Sequence, residues 1–148
     1  MALDDMLVIR DAMLEDSKAL AGLLEELGYP RTEDFVNERL MTLNQDLGTR
    51  IFVAVKQGRV VGFASCHVMP LMHASDDLCR VTALIVSRAY RHQNIGCKLM
   101  RAVEKYAKDA GCARVEITSG ERRRGAHVFY ERIGYKVASR RFLKDVEK

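Results

Sequence analysis

The sequence predicts a mixed α/β fold: one sheet combining antiparallel strands with a parallel pair, covered by helices on both faces. Two patterns predict it. Apolar residues alternate at period two in some stretches and recur at helical spacing in others, and the two kinds of stretch take turns along the chain. Late in the chain the order strand, helix, strand calls for a right-handed parallel crossover. A third observation sets the scale: 148 residues, 48% of them apolar, with no linker, low-complexity block or internal repeat, suit a single domain spanning 1–148.

The elements follow in order. "MLVIRDA" (6–12) alternates and then breaks, as a first strand should. "EDSKALAGLLEELG" (15–28) places Ala19, Leu20, Leu23, Leu24 and Leu27 on one helical stripe and stops at Gly28. In "RTEDFVNERLMTLNQ", Thr32 is positioned to cap a second helix whose inward side is Phe35, Val36, Leu40 and Leu43. "TRIFVAVK" and "RVVGFASCHVM" are separated by Gln57 and Gly58, a two-residue hairpin signal. "LCRVTALIVS" (78–87) turns apolar on both faces and reads as a central strand. A long helix follows with Ile95, Leu99, Val103, Tyr106 and Ala110 inward. "ARVEITS" (113–119), "GAHVFYERIG" (125–134) and "YKVASRRFLK" (135–144) read as strand, short helix and last strand.

Composition narrows the function classes. Cys66, Cys79, Cys97 and Cys112 form no CxxC pair and no His/Cys cluster, so neither a zinc site nor any other metal is expected. They read as reduced thiols of a cytoplasmic protein. The acidic "MALDD" start lacks the basic region of a signal peptide, and no apolar run approaches the roughly 18 residues that span a bilayer. The net charge of +4, with arginines gathered in "ERRR" (121–124) and "SRR" (139–141), suits an anionic partner. Nucleic acid is the weakest such reading, because the aromatic residues do not interleave with the basic runs as stacking platforms would.

The stretch "RAYRHQNIGCKLM" joins the central strand to the long helix. A helix start leaves N–H groups without partners and carries partial positive charge, so such a turn cradles phosphate when the backbone can approach closely. Gly96 has no Cβ to intervene, and Asn94 tolerates a left-handed backbone. Arg91 and His92 add charge at the same edge. Neither a P-loop nor a GxGxxG pattern is present. From the residues alone, a phosphate site and an ordinary helix start are equally open.

"LIVSRAYRHQNIGCKLM" resembles the acyl-CoA signature of the GCN5-related N-acetyltransferase (GNAT) superfamily, in which an apolar strand runs into (Q/R)xxGx(G/A). Arg91 takes the first position and Gly96 the last, with Asn94 where glycine is usual. "VIRDAMLED" resembles the family's first strand and the helix after it, and "AHVFYERIGYK" its final motif. The resemblance implies the GNAT fold, a mostly antiparallel sheet with one splayed parallel pair. It implies acetyl-CoA as cosubstrate: its pantetheine arm along the backbone of Leu84, Ile85 and Val86, its pyrophosphate on the amides of Arg91, His92, Gln93, Asn94, Ile95, Gly96 and Cys97, with Phe129 nearby. Arg123 stands where the family often has a cofactor-contacting asparagine.

The implied reaction is attack of a neutral primary amine on the thioester, without a covalent acyl-enzyme. Tyr130 matches the family's general acid, which protonates the departing thiolate. An alkylammonium of pKa near 10 is almost wholly protonated at neutral pH, so a base is also needed. The family often places a glutamate on the central strand, where this chain has "RVTA" (80–83). Glu116 is the named candidate, with Asp77, His67, His73 and His127 behind it and a water relay equally open. Tyr29, Met72, His73 and Asp77 are candidates to line an acceptor pocket. The ending also resembles aminoalkylphosphonate N-acetyltransferases, with Arg140 or Arg141 to pair with an anionic substrate. The expected partner is a small-molecule amine, with homodimers common in the superfamily. The alternatives are a non-catalytic acyl-CoA sensor and an enzyme acting on a protein or peptide amine.

Overall fold

The computed structural model describes residues 6–118, 124–138 and 140–147. It divides into two units, one ending at Thr118 and the other comprising the described residues from 124 onward. In the first unit the elements are β1 (Val8–Asp11), α1 (Ser17–Leu27), α2 (Val36–Gln45), β2 (Thr49–Lys56), β3 (Arg59–Met69), β4 (Asp77–Val86), α3 (Ile95–Asp109) and β5 (Cys112–Ile117). The strands lie side by side in chain order. The first three pairings are antiparallel and the last, β4 with β5, is parallel. α3 makes the crossover that the parallel pair requires.

Local chemistry explains several boundaries. Gln57 (φ 53°) and Gly58 (φ 73°) are both left-handed, the backbone that a two-residue turn needs to match the strand twist of the β2–β3 hairpin. α1 ends at Gly28 (φ 104°), where Gly28 N–H bonds Glu25 O and Tyr29 N–H bonds Leu24 O; glycine makes that left-handed cap inexpensive.

Two cores flank the sheet. On one face, Leu20 and Leu23 of α1 and Leu40 of α2 pack on Ile51, Val53, Phe63 and Ile85. On the other, α3 buries Ile95, Leu99, Met100, Val103 and Ala107. Gly62 of β3 lies directly beneath it: a Cβ there would stand 3.3 Å from Leu99 Cδ1 and 2.8 Å from the carbonyl oxygen of Ile85.

The structure corrects four expectations. Thr32 does not cap α2; it opens a short 3₁₀ turn and its hydroxyl bonds Ala21 O across to α1, while Phe35 precedes the helix. Phe35, expected to face inward, is exposed, because the turn rotates it out of the stripe that begins at Val36. Ala110 is exposed past the end of α3, and Ala107 takes its place in the stripe. Residues 135–138 and 140–144 form no strand. Alternation marks a face but does not supply a ladder of partner N–H and C=O groups, and Val137, Phe142 and Leu143 are exposed.

The second unit holds α4 (Arg124–Arg132). Gly134 (φ 104°) closes it, with Gly134 N–H to Glu131 O and Tyr135 N–H to Tyr130 O, the same cap that ends α1. Residues 119–123 and 139, which include Arg123 and the end of the expected 113–119 strand, lie outside the described residues.

Candidate active site

A fork in the sheet lies one strand length from the start of α3. β5 pairs with β4 from Asp77↔Cys112 to Val81↔Ile117 and then ends, while β4 runs on to Val86. Along Leu84, Ile85 and Val86, β4 therefore has a strand neighbour on the β3 side only, among the described residues. A backbone edge of that kind accepts an extended chain as an added strand.

The turn between β4 and α3 has the special backbone its residue types suggested. Asn94, immediately before α3, sits at φ 63° and ψ 16°, and His92 at φ 65°. Left-handed residues on both sides of Gln93 give a turn of the kind from which anion-binding concavities are built. Lys98 N–H bonds Asn94 O at 3.1 Å, the first bond of the helix. Lys56 Nζ donates to Gln93 Oε1 at 2.6 Å, and Glu26 accepts from Arg88 N–H at 3.0 Å. Those contacts tie both ends of the turn to the fold. Arg91 through Asn94 are exposed, Ile95 is buried, and Gly96 and Cys97 are half-buried.

At the mouth of the fork a row of polar residues crosses four strands in register: Thr49↔His67 on β2 and β3, His67↔Arg80 on β3 and β4, and Arg80↔Glu116 on β4 and β5. Thr49 Oγ1 lies 2.9 Å from His67 Nδ1, and His67 Nε2 lies 3.0 Å from Thr82 Oγ1. Arg80 donates to Glu116 Oε1 through Nε at 3.1 Å and Nη2 at 3.0 Å. Burial pushes the His67 imidazole below its ordinary range, with Asp46 pulling part of the way back.

A β-bulge puts Thr82 there. Ser65 pairs with Ala83 and Cys66 with Val81, so Thr82 is the extra residue on β4 and its side chain is re-aimed. It is exposed.

The structure thus brings together Glu116 and His67, from separate regions of the sequence, and adds Arg80, Thr82, Thr49 and Asp46, which sequence reasoning missed. The signal for Thr82 was weak: Cys79, Val81, Ala83 and Ile85 keep one unbroken parity in the sequence. His73, Tyr29 and Met72 are exposed loop residues, and Asp77 opens β4. In the second unit, the Tyr130 ring lies 5.5 Å from that of Phe129, edge-on, and 6.3 Å from that of Tyr135. Arg140 and Arg141 are exposed and outside any strand. All four cysteines are free thiols. No helix among the described residues is long and apolar enough to cross a membrane.

Comparison with known proteins decides the family. The model of the acetyltransferase (GNAT) family matches residues 14–135. The chain belongs to this family. Among its GNAT relatives, the aminoalkylphosphonate N-acetyltransferase of Salmonella typhimurium is 31% identical over 92% of this chain and 89% of that protein. The glucosamine 6-phosphate N-acetyltransferase of Trypanosoma brucei brucei is 23% identical over 96% of this chain and 95% of that one. The solved structure of an aminoglycoside N-acetyltransferase, AAC(6')-Iy in complex with CoA, superposes with a TM-score of 0.85 at 16% identity, covering 97% of this chain and 96% of its own. The GNAT fold and an N-acetyltransferase activity are therefore the properties of this chain.

Proposed function

We propose that this GNAT enzyme moves the acetyl group of acetyl-CoA to the primary amine of a small molecule that also carries a phosphonate or phosphate, by direct attack of the amine on the thioester. The observation that carries the reading is the forked sheet: the β4 edge that has no strand neighbour on the β5 side among the described residues runs from the start of α3 at one end to Arg80, Thr82 and Glu116 at the other. Pyrophosphate bound to the amides of Arg91 through Cys97 would lead the pantetheine arm down the edge of Val86, Ile85 and Leu84. From Val86 back to Thr82 is four residue steps of roughly 3.3 Å each, which delivers the thioester to the polar row. Tyr130, with Phe129 beside it, is the proposed general acid for the departing thiolate.

The acceptor reading rests on Arg80. Glu116 Oε1 takes donors from Nε and Nη2 and so fixes the guanidinium in place, and Arg80 keeps further N–H groups for an anion. In this reading Glu116, expected from the sequence as the base, instead positions Arg80. The Salmonella and Trypanosoma relatives are named for acceptors that unite a primary amine with a phosphorus oxyanion.

The test is thiol release from acetyl-CoA over aminoalkylphosphonates, an amino sugar phosphate, and amines of the same length lacking phosphorus. The phosphorus-bearing amines should have the higher kcat/KM. Arg80→Gln should raise KM for them alone, by about 10-fold or more, as loss of a charged hydrogen bond predicts. Equal kcat/KM for amines with and without phosphorus would refute the acceptor class.

A further inference from the structure

The row that ends at Thr82 has a direction, and hydrogen-bond bookkeeping reveals it. Asp46, at the end of α2, is an exposed carboxylate and can only accept; Thr49 Oγ1 donates to its Oδ2 at 3.1 Å. That uses the one proton of the Thr49 hydroxyl, so toward His67 Thr49 must accept, and Nδ1 of His67 carries the hydrogen. A neutral imidazole holds a single N–H. Nε2 is then a lone pair, and the hydroxyl of Thr82, 3.0 Å away, donates to it. The competing acceptor for that hydroxyl, Ser65 O, is farther, at 3.4 Å. Every donor in this row points toward Asp46, and the outermost atom, the oxygen of the exposed Thr82, keeps its lone pairs for a partner from outside the row.

We propose that Asp46, Thr49, His67 and Thr82 form a proton relay that deprotonates the acceptor's ammonium, with Thr82 as the catalytic residue and His67 the positioning and proton-holding residue behind it. The proposal rests on the acetyl-transfer reading above and supplies the base that the "RVTA" segment lacks as a carboxylate. In the step, a N–H bond of the ammonium breaks and its proton goes to Thr82 Oγ1 as the hydroxyl proton of Thr82 passes to His67 Nε2. The nitrogen keeps the electron pair with which it attacks the thioester carbonyl. His67 becomes an imidazolium whose Nδ1–H remains on Thr49; before the next turnover Nε2 returns its proton to Thr82 Oγ1 as that exposed hydroxyl releases one to solvent, which restores the Nδ1–H tautomer. No electron transfer is involved.

Three features support this division of labour. The bulge places Thr82 beyond the regular ladder and out to solvent, where a substrate reaches it. His67 is held at both nitrogens, which fixes its ring and its tautomer, a requirement for directional transfer. Its surroundings favour the neutral ring in the resting enzyme: burial lowers its proton affinity, Asp46 partly restores it, and Arg80, in register on β4 and paired with Glu116 on β5, adds positive charge on the same face. β2 contributes only the neutral Thr49 in this row.

Two measurements test the relay. In long-range ¹H–¹⁵N spectra of the whole protein, with His67 assigned from His67→Gln, the ring should appear as the Nδ1–H tautomer at neutral pH; an Nε2–H tautomer or an imidazolium there overturns the proposal without reference to substrate. In pH profiles of kcat/KM for an accepted amine, Thr82→Val should lose about 10²-fold at neutral pH, move the rising limb toward the amine's own pKa, and keep the wild-type Kd for acetyl-CoA. Thr82→Ser should restore much of the rate, and His67→Gln should reproduce the shifted limb. Should His67→Gln fail to fold, Thr82→Val, altered only at an exposed position, still decides. Wild-type rates and limbs in Thr82→Val remove the relay alone. A wild-type chain that acetylates no amine in the panel removes the acetyl-transfer reading and the relay with it.

Discussion

Asn94 offers the sharpest test of how the turn before α3 is built. Its φ of 63° and ψ of 16° lie in the left-handed region, which asparagine enters at small cost and a β-branched residue does not. Asn94→Val therefore faces two outcomes. If the backbone stays, the variant carries a strain of about 1–2 kcal/mol. If it relaxes, the carbonyl that accepts from Lys98 N–H at 3.1 Å swings away, and the amides from 92 to 97 lose their common direction. The strain raises the binding-ready turn relative to the relaxed one, and 1–2 kcal/mol corresponds to a factor of roughly 5–30 in their ratio. Because apparent affinity falls with the fraction of the competent state, acetyl-CoA should bind roughly 5–30-fold more weakly. Asn94→Gly, which enters the same region freely, should bind within about twofold of wild type. Titration calorimetry with acetyl-CoA measures both. Equal affinity in wild type and Asn94→Val would show that the left-handed turn does not organise the binding amides.

Three further outcomes are expected. Tyr130→Phe should lower kcat by about 10²-fold while leaving the acetyl-CoA Kd nearly unchanged; an unchanged kcat removes Tyr130 from thiolate protonation. Leu99→Ala, at a fully buried position of α3, should cost about 3–5 kcal/mol and lower Tm by roughly 10 °C, read by thermal melting. Asp16 takes two bonds from Arg10, at 2.8 and 3.0 Å, and one from Met13 N–H at 2.8 Å. The Arg10 hydrogen bond foremost, with Met13 N–H behind it, holds the carboxyl below its ordinary range against the opposing effect of burial. A depressed folded-state pKa gives stability that is present above the unfolded value, near 4, and is lost as pH falls through the folded value. Asp16→Asn should thus cost about 2 kcal/mol at pH 7 in urea denaturation, with the gap from wild type narrowing below pH 4.

Much of this architecture was legible because single residue types decide it. Gln57-Gly58 suits a tight two-residue hairpin, and both residues take the left-handed backbone of one such turn. Gly28 and Gly134 each stop a helix in the same way. The α3 stripe emerged because one face meets the sheet and the other meets water. Thr32 misled because a threonine ahead of an apolar run suits a 3₁₀ turn as well as a cap, and the choice was made by a tertiary partner, Ala21 O, eleven residues away. The 135–144 stretch misled for a related reason: period two reports a two-faced segment, and pairing depends on a neighbour that the segment itself does not encode.

The site was harder to read than the fold, and the cause is the bulge on β4. A bulge is visible in a sequence when it breaks an alternation between core and solvent. Here both faces of β4 meet core. Cys79 and Val81 pair with Val68 and Cys66 on the α3 side, whereas Ala83 and Ile85 pair with Ser65 and Phe63 beneath α1 and α2. The apolar parity runs unbroken through a point where the strand changes faces. The hidden switch is what allows one strand to present Arg80 and Thr82 beside His67 at its first half and, at its second, an edge with no strand neighbour on the β5 side among the described residues. "RVTA" holds no carboxylate; in the proposed relay Thr82 takes that place, drawing its basicity through a bond of 3.0 Å from His67 on the neighbouring strand.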